Sequence, residues 1–218
     1  YFVLAAKNLG YQTAVLDPDP HAPAGVNADI HIVAPFDDID ALNRLAALCS
    51  AVTVEFENPP VVALEHLAQH VTVRPSPSAV AIAQNRRQEK QFCQSIGLSV
   101  APYEVLETEE DLARITSSGV AQTHLEPFST PLIMKTSRNG YDGKGQVRLK
   151  GEVPKSAWAD VGAGPSILEA WITHECEISV IAARSASGEF VAFDPPENDH
   201  SGGILRRSTF PASAPKAA

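Results

Sequence analysis

Along the N-terminal part of the chain, short apolar runs alternate with amphipathic stretches, and the two periods predict different elements. "QTAVLD" (12–17), "HIVA" (31–34), "AVTVEF" (51–56) and "VTV" (71–73) are compact and rich in β-branched residues, as strands are. Residues 37–49 instead place Ile39, Leu42, Leu45, Ala46 and Cys49 at helical spacing behind an acidic cap. "YFVLAAKNLG" (1–10) reads as a helix closed by Gly10, and Pro60 suits the first turn of a helix running to about Gln69. Strands separated by helices predict a parallel sheet wrapped by helices, a Rossmann-like arrangement.

The alternation breaks at "RPSPS" (74–78), which predicts a domain boundary near residue 76, with one domain over 1–76 and another over 77–218. A polar helix follows over 85–97 with Gly97 as its stop, and Thr108 ahead of acidic residues starts another over 108–119. Beyond residue 130 β-branched and aromatic runs dominate: "PLIMKT", "QVRL", "SILEAWI", "CEISVIAAR" and "EFVAFD". This half reads as antiparallel, so the fold class is α/β followed by α+β.

An apolar content of 44% over 218 residues suffices for a packed core without disulfide staples. The net charge of −9, with only Arg86-Arg87 and Arg206-Arg207 as short basic pairs, argues against a nucleic-acid partner. No apolar run approaches the roughly 20 residues that cross a bilayer, so no membrane span is expected. Cys49, Cys93 and Cys176 fit neither a disulfide framework nor a zinc pattern, and the expected setting is the reducing cytoplasm. The chain opens on Tyr1 inside a helical pattern and ends at "PASAPKAA", so a fragment truncated at both ends is expected.

The densest chemistry lies in "LIMKTSRNGYDGKGQVRL" (132–149), where Gly140, Gly143 and Gly145 are threaded with Tyr141, Asp142 and Lys144. Two readings stay open. Asn139-Gly140 and Asp142-Gly143 are strong hairpin dipeptides, whereas a phosphate loop would use the glycines to bring backbone N–H groups close to anionic oxygens, with Lys144 adding charge. A Walker A loop is excluded because Gly145 follows Gly-Lys where Ser or Thr must stand, and the kinase G-x-G-x-x-G pattern fails as well. Alternation puts Lys135 on the same face as Ile133, and a lysine on a half-buried face needs an anion. Glu169 inside the apolar run "ILEAWI" needs a cation or a hydroxyl donor, unless its strand is an edge that leaves it in water. Glu175 and Glu177 fall on one strand face, either to accept ribose hydroxyls or as a solvated acidic edge.

Taken in this order, the lysine, the glycine loop, "LEAWI" and "EISVIAAR" resemble the ATP-grasp enzymes, and within them the 5-(carboxyamino)imidazole ribonucleotide synthase family. The matching stretches are "VLDPDPHAPA" (15–24), "VTVEFEN" (52–58), "QNRRQEK" (84–90), "GYDGKGQ" (140–146), "EISVIAAR" (177–184) and "ENDHSGGILRRSTFPA" (197–212). The resemblance implies a Rossmann-like, substrate-side pre-ATP-grasp domain over 1–76. A partial ATP-grasp region follows over 77–218, with a lid over about 101–167. It implies ATP-dependent carboxylation of 5-aminoimidazole ribonucleotide by bicarbonate in purine biosynthesis, with ADP and phosphate released, by a homodimer. Mg2+ is implied too, with ligands expected beyond Ala218.

Position by position, the resemblance implies that Arg86 and Lys135 touch the nucleotide phosphates. Gly140, Tyr141, Asp142, Gly143, Lys144, Gly145 and Gln146 would close over them. Glu169, Ala170, Trp171 and Ile172 would form the adenine hinge, Glu177 would hold the ribose and His200 would lie near the nucleotide. Tyr141, Asp142 and Lys144 would face the imidazole ribonucleotide and bicarbonate as catalytic residues, and Glu55 or Glu57 would meet the substrate.

Three rivals remain at this stage. One is an ATP-grasp ligase or carboxylase with another acceptor. A second is a dinucleotide-binding module, in which Asp17 at a strand end would bind ribose. The last is a nucleotide-binding fragment without activity. His21, His31, His66, His70, His124 and His174 show no metal-ligand spacing.

Overall fold

A computed structural model of the chain describes residues 1–117, 131–140, 143–149, 153, 154 and 156–213. The chain forms two compact units, Tyr1–Gly97 and Leu98–Ala218.

The first unit runs α1 (Phe2–Asn8), β1 (Ala14–Leu16), α2 (Pro23–Asn27), β2 (Ile30–Ile32), α3 (Ile39–Leu48), β3 (Ala51–Val52), α4 (Val61–Ala68), β4 (Thr72–Val73), α5 (Pro77–Ala83) and α6 (Arg86–Ser95). β1 pairs with β2 and β3 with β4, both in parallel, as strands joined by helical crossovers must. α3 is capped by Asp38, whose carboxylate accepts the Ala41 N–H at 2.8 Å. Its Leu42 and Leu45 join Ile32, Leu64, Leu67, Val73 and Val80 in one buried cluster. Ile39 is exposed although its spacing places it on that face, because it opens the helix ahead of the turn that reaches the core.

In two places proline chemistry explains a difference from expectation. The strand expected over 51–56 ends at Val52. Its neighbour β4 offers one further bond, from Arg74 N–H to the Val52 carbonyl, and then reaches Pro75, which has no N–H to donate. The "RPSPS" break conceals α5: the Ser76 hydroxyl accepts the Ala79 N–H at 3.2 Å and Pro77 occupies the first turn, where its missing N–H and fixed φ suit a helix start. α6 opens on Asn85, whose side chain accepts the Arg87 and Gln88 N–H groups, and the chain leaves it through Gly97 at φ +82°.

The second unit begins with β5 (Tyr103–Leu106), α7 (Glu109–Ser117), β6 (Leu132–Thr136), β7 (Gln146–Leu149), α8 (Ala157–Asp160) and β8 (Ser166–Ala170). Thr108 and Asp111 cap α7 reciprocally, each side chain accepting the other's backbone N–H. The strands form one antiparallel sheet in the order β5-β8-β6-β7. Because side chains alternate across a sheet, the register sorts them into two faces. Leu106, Leu132, Met134, Leu149, Leu168 and Ala170 point to one side and pack with Leu112 and Ile115 of α7 and Trp158 of α8.

β9 (Glu177–Ile178), β10 (Ala182–Arg184), β11 (Phe190–Ala192), β12 (Glu197–Ser201) and β13 (Ile204–Thr209) complete this unit. They form a three-stranded sheet, β13-β12-β9, and a separate β10–β11 hairpin, all antiparallel. The run "CEISVIAAR" therefore breaks into two strands. Opposite the break lie Pro195 and Pro196, which cannot donate to the ladder. Among the described residues no helix is long and apolar enough to cross a membrane, and all three cysteines are free thiols.

Candidate functional site

The face of the β5-β8-β6-β7 sheet opposite the core is where charge collects. Cross-strand register aligns Tyr103 with Glu169, Glu169 with Ile133, and Ile133 with Arg148. One step along, Ile167 aligns with Lys135 and Lys135 with Gln146. Lys135 and Glu169 are thus diagonal neighbours on one face, and Lys135 Nζ reaches Glu169 Oε2 at 2.6 Å. The Glu169 side chain is only 8% exposed and that of Lys135 24%, so the pair is shielded from water on the carboxylate side. β8 lies between β5 and β6, which rules out a solvated edge strand for Glu169. Of the residues expected to form the adenine hinge, Ala170 points into the core, Trp171 is half-buried under the Arg148 guanidinium, 3.4 Å above the ring centroid, and Ile172 is exposed.

The glycine loop joins β6 to β7, so it is the connection of an antiparallel hairpin. After Lys135 and Gln146 the ladder gains one more bond, from Thr136 N–H to the Gly145 carbonyl at 2.8 Å. Gly145 has φ +67°, and a Cβ there would meet the Thr136 methyl at 2.5 Å, so any other residue would strain the backbone and force Thr136 to shift. The other end is anchored by Ser137, whose N–H bonds the Pro165 carbonyl at 2.8 Å beside β8. Gly140 and Gln146 are half-buried and Lys144 is exposed; Tyr141 and Asp142 lie outside the described residues.

On the β13-β12-β9 sheet, Glu177 Oε1 stands 3.3 Å from His200 Nδ1. The same face carries a row of hydrogen bonds, from Ser208 Oγ to Asn198 Oδ1 at 2.9 Å and from Asn198 Nδ2 to Ser179 Oγ at 3.1 Å. Glu175 precedes β9 and shares no strand face with Glu177. Arg207 pairs with Asp199 at 3.4 Å, both well exposed.

The remaining candidates belong to the first unit. Glu55 Oε1 accepts the Phe2 N–H at 3.0 Å at the start of α1, while Glu57 is exposed and its carbonyl accepts from Gln84 Nε2 at 3.2 Å. Arg86 is half-buried in the first turn of α6. Asp17 Oδ1 accepts the Asp19 N–H at 2.9 Å, so this carboxylate closes its own turn.

The ribonucleotide synthetase preATP-grasp domain family matches residues 1–84, and the ATP-grasp domain family matches residues 91–218. The chain belongs to the ATP-grasp family. It is 42% identical over 213 residues to the N5-carboxyaminoimidazole ribonucleotide synthase of Brucella melitensis, covering 96% of this chain and 56% of that protein. Identity to the Bacillus subtilis enzyme of the same name is 37% over 214 residues, covering 98% of this chain and 54% of the relative. A crystal structure of the ADP complex of an N5-carboxyaminoimidazole ribonucleotide synthetase superposes with a TM-score of 0.87 at 39% identity, over 98% of this chain and 55% of that one. The chain thus spans about half the length of the relatives it matches.

Within this ATP-grasp unit, sequence reasoning singled out Lys135, Gln146 and Glu169 but missed Tyr103 and Arg148. Tyr103 lies far from the glycine motif in the chain and joins it only through the β5–β8 register, which leaves no local signal. Arg148 is two residues beyond Gln146 on the same strand, so alternation along β7 alone could have found it. Among the described residues no group of three or more His, Cys, Asp or Glu could hold a metal ion.

Proposed function

We propose that this chain forms the nucleotide- and substrate-binding part of an ATP-dependent carbon–nitrogen ligase. The reaction carboxylates 5-aminoimidazole ribonucleotide with bicarbonate to 5-(carboxyamino)imidazole ribonucleotide. The single observation that carries this reading is the Lys135–Glu169 pair on a charged sheet face whose strands continue into the glycine loop. A bicarbonate oxygen attacks the γ-phosphorus, the β–γ bridging oxygen departs with ADP, and carboxyphosphate forms. The exocyclic amine then attacks the carboxyl carbon, phosphate leaves and the amine gives up a proton. The first step needs cations around the transferring phosphoryl group, and the second needs water kept away from a labile anhydride.

In this reading Lys135 exchanges its carboxylate partner for phosphate oxygens, with Arg86 assisting, and Gly140 to Gln146 close over them. Glu169 to Ile172 form the adenine hinge; Glu177 takes the ribose hydroxyls, with His200 beside it. Tyr141, Asp142 and Lys144 face the acceptor and bicarbonate, and Glu55 or Glu57 meets the ribonucleotide. Glu57 is the better candidate, because the Glu55 carboxylate already accepts the Phe2 N–H. The relatives' shared name supports this acceptor over other ATP-grasp acceptors, and a cytoplasmic homodimer using Mg2+ completes the proposal.

The test is titration of the 218-residue chain with ATP, followed by ADP release in bicarbonate with and without 5-aminoimidazole ribonucleotide. Saturable ATP binding is expected, weakened about 10- to 100-fold in Lys135→Met at a temperature where both proteins are folded, the range for losing a charged hydrogen bond. ADP release that rises with the ribonucleotide supports the acceptor. ATP binding indifferent to Lys135→Met refutes the phosphate role.

A further inference from the structure

Two glycine turns of the second unit meet backbone to backbone. Gly202-Gly203 joins β12 to β13, and Gly143 belongs to the β6–β7 loop. A Cβ built on Gly203 would lie 3.1 Å from Gly143 Cα and 3.4 Å from Gln146 Nε2, and one built on Gly143 would lie 3.3 Å from the Gly202 carbonyl oxygen. The facing atoms are mainly main chain, which cannot swing aside as a long side chain can. Gly202, at φ +63°, has nothing within 4 Å of its own virtual Cβ. Both glycines share a left-handed backbone, but only at Gly203 would an added Cβ point into the contact.

We propose that the β12–β13 turn is the dock on which the glycine loop seats, with Gly203 as the positioning residue that permits the close approach. The consequence reaches the other half of the site. From this turn the chain runs back along β12 to His200, which faces Glu177, so seating the loop also fixes the separation between the loop and the His200–Glu177 pair. If the loop covers phosphates and Glu177 holds ribose, the dock sets the spacing between two parts of one nucleotide. That last step rests on the function proposed above; the docking itself does not.

The experiment is limited trypsin digestion at Lys144, an exposed residue inside the docked loop, with the cut identified by mass. Cleavage of this kind tracks the population in which the loop is undocked. Gly203→Ala and Gly202→Ala impose comparable backbone strain, since both positions have positive φ, but only the first crowds Gly143, which must give way by a few tenths of an ångström. Without nucleotide, Gly203→Ala is expected to be cut at Lys144 about fivefold faster than the parent chain, equivalent to about 1 kcal/mol of lost docking, and Gly202→Ala within about twofold. Equal rates for the two variants overturn the dock. Tryptophan fluorescence confirms that each variant is folded. Gly143→Ala approaches the same contact from the opposite side, keeps the test decisive should Gly203→Ala unfold, and is expected to accelerate the same cut. ATP added to the parent chain separates the two ideas. Failure of ATP to slow the cut counts against the nucleotide reading while leaving the dock standing, whereas a Gly203→Ala rate equal to the parent's sinks the dock whatever ATP does.

Discussion

Lys135→Met carries the sharpest energetic consequence of the site. The Glu169 carboxylate is 8% exposed on the central strand β8, with the Lys135 ammonium 2.6 Å away. Removing one partner of a fully buried pair costs about 3–5 kcal/mol, because the other charge remains desolvated without its counter-ion. Lys135 is itself 24% exposed, so water reaches that side once the ammonium is gone, and the expected loss is smaller, about 2–3 kcal/mol. Adding Glu169→Gln removes the stranded charge, so the double variant should regain at least half of that loss. Both tryptophans of the chain, Trp158 and Trp171, lie in the second unit, so urea unfolding followed by their fluorescence reports on it directly. With a urea slope of roughly 2 kcal/mol per molar, the midpoint of Lys135→Met should fall by about 1–1.5 M. A single variant within about 0.5 kcal/mol of the parent would refute the claim that the pair is energetically coupled. So would a double variant no more stable than Lys135→Met.

Two further outcomes test the first unit. Asn85→Ala removes the side chain that accepts the Arg87 and Gln88 N–H groups at the start of α6, and should cost about 1 kcal/mol in thermal or urea unfolding followed by far-UV circular dichroism. The Asp29 carboxyl is held at about 2, against an ordinary 3.8, chiefly by its hydrogen bond from Lys7 and then by the Thr13 N–H and hydroxyl. A depressed folded-state value means that the contribution is complete above about pH 4 and is lost as pH falls toward 2. An NMR titration of Asp29 with a midpoint near 3.8 would contradict the contact, and Asp29→Asn should remove this part of the acid sensitivity.

Much of this protein was legible one window at a time. The spacing of Leu42 and Leu45, the acidic cap at Asp38, the helix start at Thr108 and the glycine stops at Gly10 and Gly97 are local facts, and the elements they mark are present. The antiparallel character of the second half was legible too, because the β-branched runs from residue 130 on are mostly joined by connections too short for a helical crossover, the one carrying α8 excepted. α5 was hidden by the same Ser-Pro pair that starts it, since proline reads as a breaker unless the serine before it is weighed as a cap.

What the sequence could state was that Lys135 needed an anion and that Glu169, unless on an edge strand, needed a cation or a hydroxyl donor. That each is the other's partner was decided by the register of β6 on β8, and Tyr103 was added by β5 on the other side of β8. Strand pairing joins segments with no shared local window. Alternation tells which way a side chain points within its own strand, and only the folded sheet decides which neighbour it finds there.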